Sequence, residues 1–532
     1  MNIKQSTVNK IKTQSKSILI ITMLLSSILM ICGVYTKYEL EHDESISYLA
    51  SSGHQKEYST IKNSHLYGKV VSVNHWKKYL KVEKPFCFNK ISHDLSHYDI
   101  HPPLYFWLLH IWTLIFGIKL WTGPILNILL SLATLIILFK FSKVLLKNPF
   151  QASLVSLMWA ISPSVIVIPL VARPYNLLAL ISILFIWQYY KCFLIPGKTS
   201  VKKLIILVLY IILGTLAHYY FLLILFGSWL AAHLTIINID TIKKIKFNIS
   251  LLLGLLAVVL IHPQFYLSFI RQQSQKLPAD ISNLPDRILN IILAVLNFFI
   301  KVERGTKQYL LTLLLIGSLI LLVLFYILLK NKKTNSSMTF NNLNPEFNFI
   351  FYFLFITFSA SILLYVTFQI HQNAIGPRYL CMVWPFLALI SVLIFNDFNK
   401  HKIKLIFIYI IISLSSIGTI HQRYIQFFEH KSYALNKNMH LSNLIVIDNI
   451  KRGVLLPIIH TIPNNKNVFA AEQSYLLNHH IELLRNIEPP AMYISKINYE
   501  NTTENQRKLL KKIQANFKIR MIKDDIFLIL KK

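Results

Sequence analysis

Long apolar runs constrain this chain more than any other feature of its sequence. Eleven runs come close to the roughly 17–25 residues that an α-helix needs to cross a bilayer. Backbone polar groups are satisfied in lipid only by helices and closed barrels, so we expect an α-helical polytopic membrane protein. The first run is expected to remain as a signal anchor. The runs are 17–35, 122–139, 151–170, 175–193, 203–217, 220–237, 248–266, 309–329, 348–369, 380–396 and 404–420.

The positions of the charged residues are related to the positions of the apolar runs. Its 55 Lys+Arg and 23 Asp+Glu give a formal net charge of +32, which in a soluble protein would indicate nucleic acid as the partner. Here 20 lysines occupy the N-terminal segment and alternate loops, against only three acidic residues in the same segments. That placement sets orientation and favours contact with anionic lipid headgroups. It argues against a nucleic-acid partner.

The same asymmetry predicts the topology. The positive-inside rule places residues 1–16 in the cytoplasm as a short tail and, after about eleven crossings, the C-terminus outside. Residues 103–117 are also apolar, but the lysines on both sides of the pair 103–117 and 122–139 must lie inside, so only one of the two can cross. The earlier run is short and aromatic, and it begins with two prolines. We expect it to lie along the outer interface, and residues 286–300 to do the same.

Three regions follow from this topology: a transmembrane domain at 17–420, an external loop at 36–101, and a small external α/β domain at 421–532. In the last region a polar helix is expected at 502–515. The four cysteines stand singly, so neither a disulfide framework nor a zinc site is expected. The predicted strands are Leu444–Asp448, Val454–His460, Met492–Ile497 and Ile526–Leu530.

Acidic residues mark both ends of the external loop. Asp43 and Glu44 follow the first span, where carboxylates near hydrocarbon are costly to hold. A solvated helix exit is one interpretation of this pair; the other is a general base, Asp43, with Glu44 assisting. A carboxylate at a partly dry membrane surface is expected to have a raised pKa, which suits a general base. Asp99 and His101 stand at the far end of the loop, where a simple helix cap is the alternative; we expect both ends to meet at the membrane surface.

Cations and histidines gather at the same outer face. Arg173 lies in Ala-Arg-Pro-Tyr, Arg378 in Pro-Arg-Tyr, and His218 in His-Tyr-Tyr. Arg173 could simply reach lipid phosphate, and Tyr219 and Tyr220 could belong to an interfacial aromatic belt. A guanidinium also matches the oxygens of a phosphate leaving group and never deprotonates. Their position on one side of the membrane favours a site.

These motifs occur in an order that resembles a known family. Asp43-Glu44, Asp-x-His-Pro-Pro-Leu-Tyr, Ala-Arg-Pro-Tyr, His-Tyr-Tyr and Pro-Arg-Tyr-Leu are similar to those of bacterial membrane glycosyltransferases of the GT-C fold. The family includes enzymes related to dolichyl-phosphate-mannose–protein mannosyltransferases and to lipid A aminoarabinose transferases. The resemblance covers roughly residues 17–400.

The resemblance implies transfer of a sugar from a polyprenyl-phosphate donor, at the external face of the bacterial cytoplasmic membrane, to a lipid, glycan or protein acceptor. Asp43 matches the expected base, and Asp99 and His101 match positions for the donor phosphate or a metal. No cofactor is required by the sequence, and a divalent metal remains open. The candidate catalytic residues are Asp43 and Glu44. The candidate substrate-binding residues are Asp99, His101, Tyr105, Arg173, Tyr175, His218, Tyr219 and Arg378.

Other functions compete with this one. A transporter or flippase of a lipid-linked sugar would bury ionisable groups near the midplane and show repeated halves, whereas none of the acidic residues falls within the predicted spans. A ligase or polymerase of lipid-linked glycans would use much the same carrier, and the sequence separates it poorly. A non-catalytic receptor would leave the clustered loop residues unexplained.

Overall fold

The structure is a computed structural model that describes residues 2–233, 239–274, 292–301, 357, 377–394, 398–495, 502–523 and 525–532. Apart from Thr357, the predicted spans 309–329 and 348–369 lie outside these ranges. The part of the chain that is described confirms a helical fold with several apolar helices of spanning length and a small C-terminal sheet.

Five helices in the described ranges are long and apolar enough to cross a bilayer. A sixth span forms if the helix Pro149–Ile161 and the segment Pro163–Leu170 are counted together, with a bend of 57° between them. The bend falls at Ser162-Pro163, because proline lacks the N–H that an unbroken helix would need. The five spans are Ser15–Tyr35, Thr122–Leu146, Tyr175–Leu194, Thr241–Ile261 and Ile406–Leu441.

Several apolar runs form shorter helices. The predicted interfacial run 103–117 forms the 13-residue helix Leu104–Phe116. At about 1.5 Å per residue it is about 20 Å long, less than the roughly 30 Å of hydrocarbon. The predicted span 203–217 forms a helix of 17 residues, and the described parts of 220–237 and 380–396 contain helices of 13 and 11 residues. These are Val201–Ala217, Phe221–His233 and Trp384–Ile394.

The segment between the first span and residue 104 is mostly helical. Its first helix, His42–Ser51, carries Asp43 and Glu44 in its first turn, and we name it the site helix. Glu41 and Glu44 form a reciprocal capping box at its start. The other helices of this segment are Gln55–Ser59, Val73–Lys77 and Phe88–Tyr98.

Within the described ranges the C-terminal sheet has six strands, in the order β1-β3-β2-β4-β6-β5. Strands β3, β2 and β4 run parallel, and β1, β5 and β6 join antiparallel. The first strand comes from the predicted external loop, so that loop is part of the sheet. The strands are β1 Val70–Ser72, β2 Leu444–Ile447, β3 Asn467–Ala470, β4 Ala491–Ile494, β5 Lys518–Lys523 and β6 Ile526–Leu530.

One predicted strand is wrong. Residues 454–460 lie in the helix Arg452–Thr461, which connects β2 to β3. Two parallel neighbouring strands need a crossover, and an apolar run of this length does not distinguish a buried helix from a strand. The predicted strands at 444–448, 492–497 and 526–530 correspond to β2, β4 and β6. The polar run 502–515 forms the helix Thr502–Asn516, whereas β1, β3 and β5 have no counterpart among the predicted strands.

Further helices complete the described ranges. The helix Phe398–Glu429 continues through residue 420, where we had expected the last domain to begin. The remaining helices are Phe265–Ser274, Lys431–Asn438, Gln473–Asn478 and His480–Asn486.

Gly123 allows a close approach between the helix Thr122–Leu146 and the segment that carries Arg173. A Cβ at residue 123 would clash with the Cβ of Ala172 and lie 2.7 Å from the Tyr48 hydroxyl. We therefore expect Gly123→Ala to lower the free energy of unfolding by about 1–3 kcal/mol, the range of core overpacking. Thermal unfolding of the purified protein measures this.

Gly418→Ala is the matched control, because a Cβ there meets no atom of the described residues within 4 Å. Alanine replaces glycine inside a helix at that position, so stability should stay equal or rise slightly. Equal unfolding temperatures for the two variants would contradict the close approach at Gly123.

Candidate active site

Four contacts fix the backbone of the segment Leu170–Pro174, which we name the arginine loop. The Lys37 ammonium donates to the Leu170 carbonyl at 2.7 Å, and the Asn127 amide donates to the Val171 carbonyl at 2.6 Å. The Ala172 N–H donates to Glu44 Oε1 at 3.3 Å, and the Arg173 N–H donates to the Val171 carbonyl at 2.7 Å. Arg173 is therefore presented from a rigid backbone.

The Arg173 guanidinium is buried and donates hydrogen bonds to the site helix and to His101. It donates to His101 Nε2 at 2.9 Å, to Ser47 Oγ at 3.3 Å, and to the backbone carbonyl of Asp43 at 3.4 Å. Because His101 Nε2 accepts this bond, its Nδ1 carries the proton and donates to Asp99 at 2.6 Å. Burial and the neighbouring Arg173 charge lower the pKa of His101, against the influence of Asp99. The imidazole is therefore neutral.

Asp99 is saturated by protein donors. Besides His101, it accepts from its neighbour's N–H at Ile100, from Gln55 at 3.0 Å, and it pairs with Arg452 at 3.3 Å. Burial disfavours the carboxylate, but the hydrogen bond from His101 and the charges of Arg452 and Arg173 hold the pKa of Asp99 below its usual range. Asp99 therefore anchors His101 and has no oxygen left for a ligand.

A divalent metal does not fit these residues. In the described ranges no group of three His, Cys, Asp or Glu side chains is placed to hold a metal ion. Asp99 and His101, the pair proposed for that role, are occupied by each other, by Arg173 and by Arg452. We therefore derive no step through a metal.

Asp43 lies next to both arginines. Its Oδ2 pairs with Arg378 at 2.8 Å, and its Oδ1 lies 3.2 Å from His42 Nδ1. Burial would raise its pKa, as expected from a partly dry surface. The hydrogen bond with His42 and the charges of Arg173 and Arg378 outweigh burial and hold the pKa of Asp43 below its usual range. The expectation of a raised pKa was wrong, because it ignored these cations.

Glu44 faces the protein interior. It is fully buried, pairs with the Lys37 ammonium at 2.6 Å, and accepts the backbone N–H groups of Glu41 and Ala172. Burial raises its pKa, and the Lys37 charge opposes that rise. Its contacts tie the site helix to the arginine loop, which is a structural task distinct from the catalytic assistance we had assigned to it.

A cavity of about 310 Å³ opens beside this network. Among the described residues, its wall carries four cations and one acid, Glu41, and its apolar part comes from the segment Pro163–Leu170 of the bent helix pair and from Val171 of the arginine loop. The cations are Arg173, Lys301, Arg378 and Arg423; the apolar residues include Pro163, Val167, Ile168 and Val171.

Of the remaining predicted residues Tyr105, Tyr175, His218 and Tyr219, only Tyr175 lines the cavity. Its ring centre lies 5.9 Å from the Arg378 guanidinium carbon. His218 is buried with its ring 5.7 Å from the His101 ring, and burial lowers its pKa well below the usual value. Tyr105 is buried behind the arginine loop, where its hydroxyl donates to Asn127. Tyr219 is buried and is not part of the cavity wall.

Four cations of this region were not among the site residues predicted from the sequence. Lys37 pairs with Glu44, Arg452 pairs with Asp99, and both Lys301 and Arg423 line the cavity. The signal that identified Arg173 and Arg378 was a cation just beyond the outer end of a predicted span. The same signal was present at Lys37 and Arg423, which follow the runs 17–35 and 404–420 by two or three residues.

No family model and no curated protein matches the chain. Solved structures do match, at low identity. ArnT from Cupriavidus metallidurans in the apo state is 12% identical, with 95% of this chain and 97% of that chain covered and a TM-score of 0.48. The same protein bound to undecaprenyl phosphate is 11% identical over the same shares, with a TM-score of 0.45. The archaeal oligosaccharyltransferase AglB from Archaeoglobus fulgidus, in complex with an inhibitory peptide and a dolichol-phosphate, is 12% identical over 98% and 74%, with a TM-score of 0.46.

The buried pair Lys37–Glu44 gives a prediction about the role of Glu44. Lys37→Met leaves a carboxylate buried without its cation, so we expect a loss of about 3–5 kcal/mol in the free energy of unfolding. The double variant Lys37→Met/Glu44→Gln removes both charges and should recover most of that loss. Thermal unfolding in detergent compares the two.

The single variant Glu44→Gln distinguishes a structural role of the Glu44 side chain from a catalytic one. If the side chain only holds the arginine loop, turnover should fall together with affinity for the donor. A stable Glu44→Gln protein that keeps its affinity for the donor but has no turnover would instead make Glu44 a catalytic residue.

Proposed function

We propose that this protein transfers a sugar from a polyprenyl-phosphate donor to an acceptor at the external face of the membrane. The observation that carries the proposal is the cavity, whose described wall combines four cations with apolar residues that come mostly from the segment Pro163–Leu170 of the bent helix pair. A lipid phosphate has these two parts, an anionic head and a hydrocarbon chain. Phosphate recognition by guanidinium groups and burial of apolar surface both favour such a ligand.

Arg173 and Arg378 are the proposed phosphate clamp. Both line the cavity, and Arg173 Nε has no hydrogen-bond partner in the described part of the chain although it is buried. A buried donor without a partner costs free energy, so a ligand oxygen would gain a strong, charge-assisted bond there. Arg423, held 3.6 Å from Glu41, and Lys301 extend the positive wall.

Asp43 is the proposed general base. The acceptor oxygen or nitrogen attacks the anomeric carbon, the bond from that carbon to the phosphate oxygen breaks, and the acceptor proton passes to the Asp43 carboxylate. The lipid phosphate leaves with both electrons of the broken bond, and the cations stabilise its charge. Direct displacement from the opposite face inverts the anomeric configuration.

Arg378 links donor binding to the strength of this base. Its guanidinium pairs with Asp43 and also lines the cavity. A bound phosphate would share the Arg378 charge and add a negative charge near Asp43, and both effects raise the pKa of the carboxyl. Donor binding is therefore expected to make Asp43 a stronger base.

Membrane orientation and the acceptor belong to the same proposal. The basic alternate loops favour a cytoplasmic N-terminus and an external C-terminal domain. The acceptor is a lipid, a glycan or a protein, and a comparison of envelope glycolipids from a deletion strain by mass spectrometry would identify its class. A ligase of lipid-linked glycans would use the same cavity and would appear in that comparison as a change in glycan length.

Asp43→Asn tests the base. We expect turnover of a polyprenyl-phosphate sugar to fall about 10²–10⁴-fold, the usual contribution of a positioned base, while the protein still inserts and folds. Purified protein in lipid nanodiscs is suited to the assay. Glu57→Gln is the control, because Glu57 belongs to the same external segment and lies outside the cavity wall. Turnover near wild type in Asp43→Asn would remove the assignment.

Arg173→Ala tests the phosphate clamp. Loss of charged hydrogen bonds worth about 1.5–3 kcal/mol should raise KM for the donor about 10–100-fold and affect KM for the acceptor much less. Arg485→Ala, on the helix His480–Asn486 of the C-terminal domain, removes the same side chain outside the cavity and should leave both constants unchanged. Equal effects of Arg173→Ala on donor and acceptor would contradict a clamp.

A further inference from the structure

The C-terminal domain contacts the external segment 36–103 through the turn after β2 and the start of the helix Arg452–Thr461. The Tyr58 hydroxyl donates to the Ile450 carbonyl at 2.8 Å. Gly453 lies so close to the His42 ring that a Cβ there would clash with it. The segment between these two contacts, Ile450–Gly453, is thus fixed against the external segment, and Arg452 is part of it.

Arg452 begins a continuous chain of polar contacts that ends at the cavity. Its guanidinium lies 3.3 Å from Asp99 Oδ2, and the other oxygen of Asp99 accepts from His101 Nδ1 at 2.6 Å. His101 Nε2 in turn accepts from Arg173 at 2.9 Å. The chain therefore joins the C-terminal domain to the cavity wall.

Each contact in this chain fixes the next one. The Arg452 charge favours the ionised form of Asp99, which can then only accept hydrogen bonds. An accepting Asp99 holds the His101 proton on Nδ1 and leaves the Nε2 lone pair for Arg173. In the other tautomer an N–H of His101 would face an N–H of Arg173, and the guanidinium would lose its position.

We propose that Arg452 is a positioning residue of the donor site, acting on Arg173 through Asp99 and His101. The C-terminal domain is then a structural part of the cavity that binds lipid phosphate, in addition to any contact with the acceptor. This inference depends on the proposed function, because it takes Arg173 as a phosphate ligand.

The test is a double-mutant cycle on binding of polyprenyl monophosphate to the full-length protein in nanodiscs. Arg452→Met should weaken binding about threefold to thirtyfold, the range of coupling within a contact network, and His101→Leu should weaken it at least as much. The double variant should bind like His101→Leu, within about twofold, because the chain is already broken. Arg485→Met is the matched control and should bind like wild type.

The outcomes separate this inference from the proposed function. If the wild-type protein does not bind polyprenyl monophosphate, the proposed function fails. If wild type binds and Arg173→Ala binds weakly, but Arg452→Met is unchanged, only the role of Arg452 fails. Independent, multiplying effects of Arg452→Met and His101→Leu would also overturn it. If Arg452→Met does not fold, Arg452→Gln takes its place in the cycle, with the same expected non-additivity.

Discussion

The buried guanidinium of Arg173 is the feature on which the rest of the site depends. A cation in this position is costly unless every neighbour is arranged to receive it. Ser47, His101 and the Asp43 carbonyl accept its hydrogen bonds, and Lys37 and Asn127 hold the loop on which it stands. The Lys37–Glu44 pair and the close approach at Gly123 therefore act on the cavity although neither lines it.

Charge balance connects the proposed base to the proposed phosphate clamp. Asp43 neutralises part of the positive wall through Arg378, and its pKa is held low by the hydrogen bond with His42 and by the charges of Arg173 and Arg378. A lipid phosphate would replace this internal neutralisation, release the carboxylate as a base, and leave with its charge stabilised by the same arginines. One set of ion pairs thus connects the charge balance of the site with the order of events proposed for catalysis.

Sequence patterns predicted the fold and part of the site for identifiable physical reasons. Apolar length and lysine asymmetry identified the helical membrane class, and cations beyond the outer ends of spans identified Arg173 and Arg378. The crossover helix Arg452–Thr461 was mistaken for a strand because a short buried run has no decisive period. The partners of Asp99 and Glu44 were not predicted, since Arg452 is distant in sequence and buried pairing follows only from tertiary packing.

The central claim is that the cavity beside Asp43 binds the phosphate of a polyprenyl carrier. A cryo-EM structure of the full-length protein in nanodiscs with added polyprenyl monophosphate tests it most directly. The account predicts phosphate oxygens within hydrogen-bond distance of Arg173 and Arg378, with the hydrocarbon chain against Val167 and Ile168. A carrier phosphate bound elsewhere, with this cavity holding only water, would contradict it.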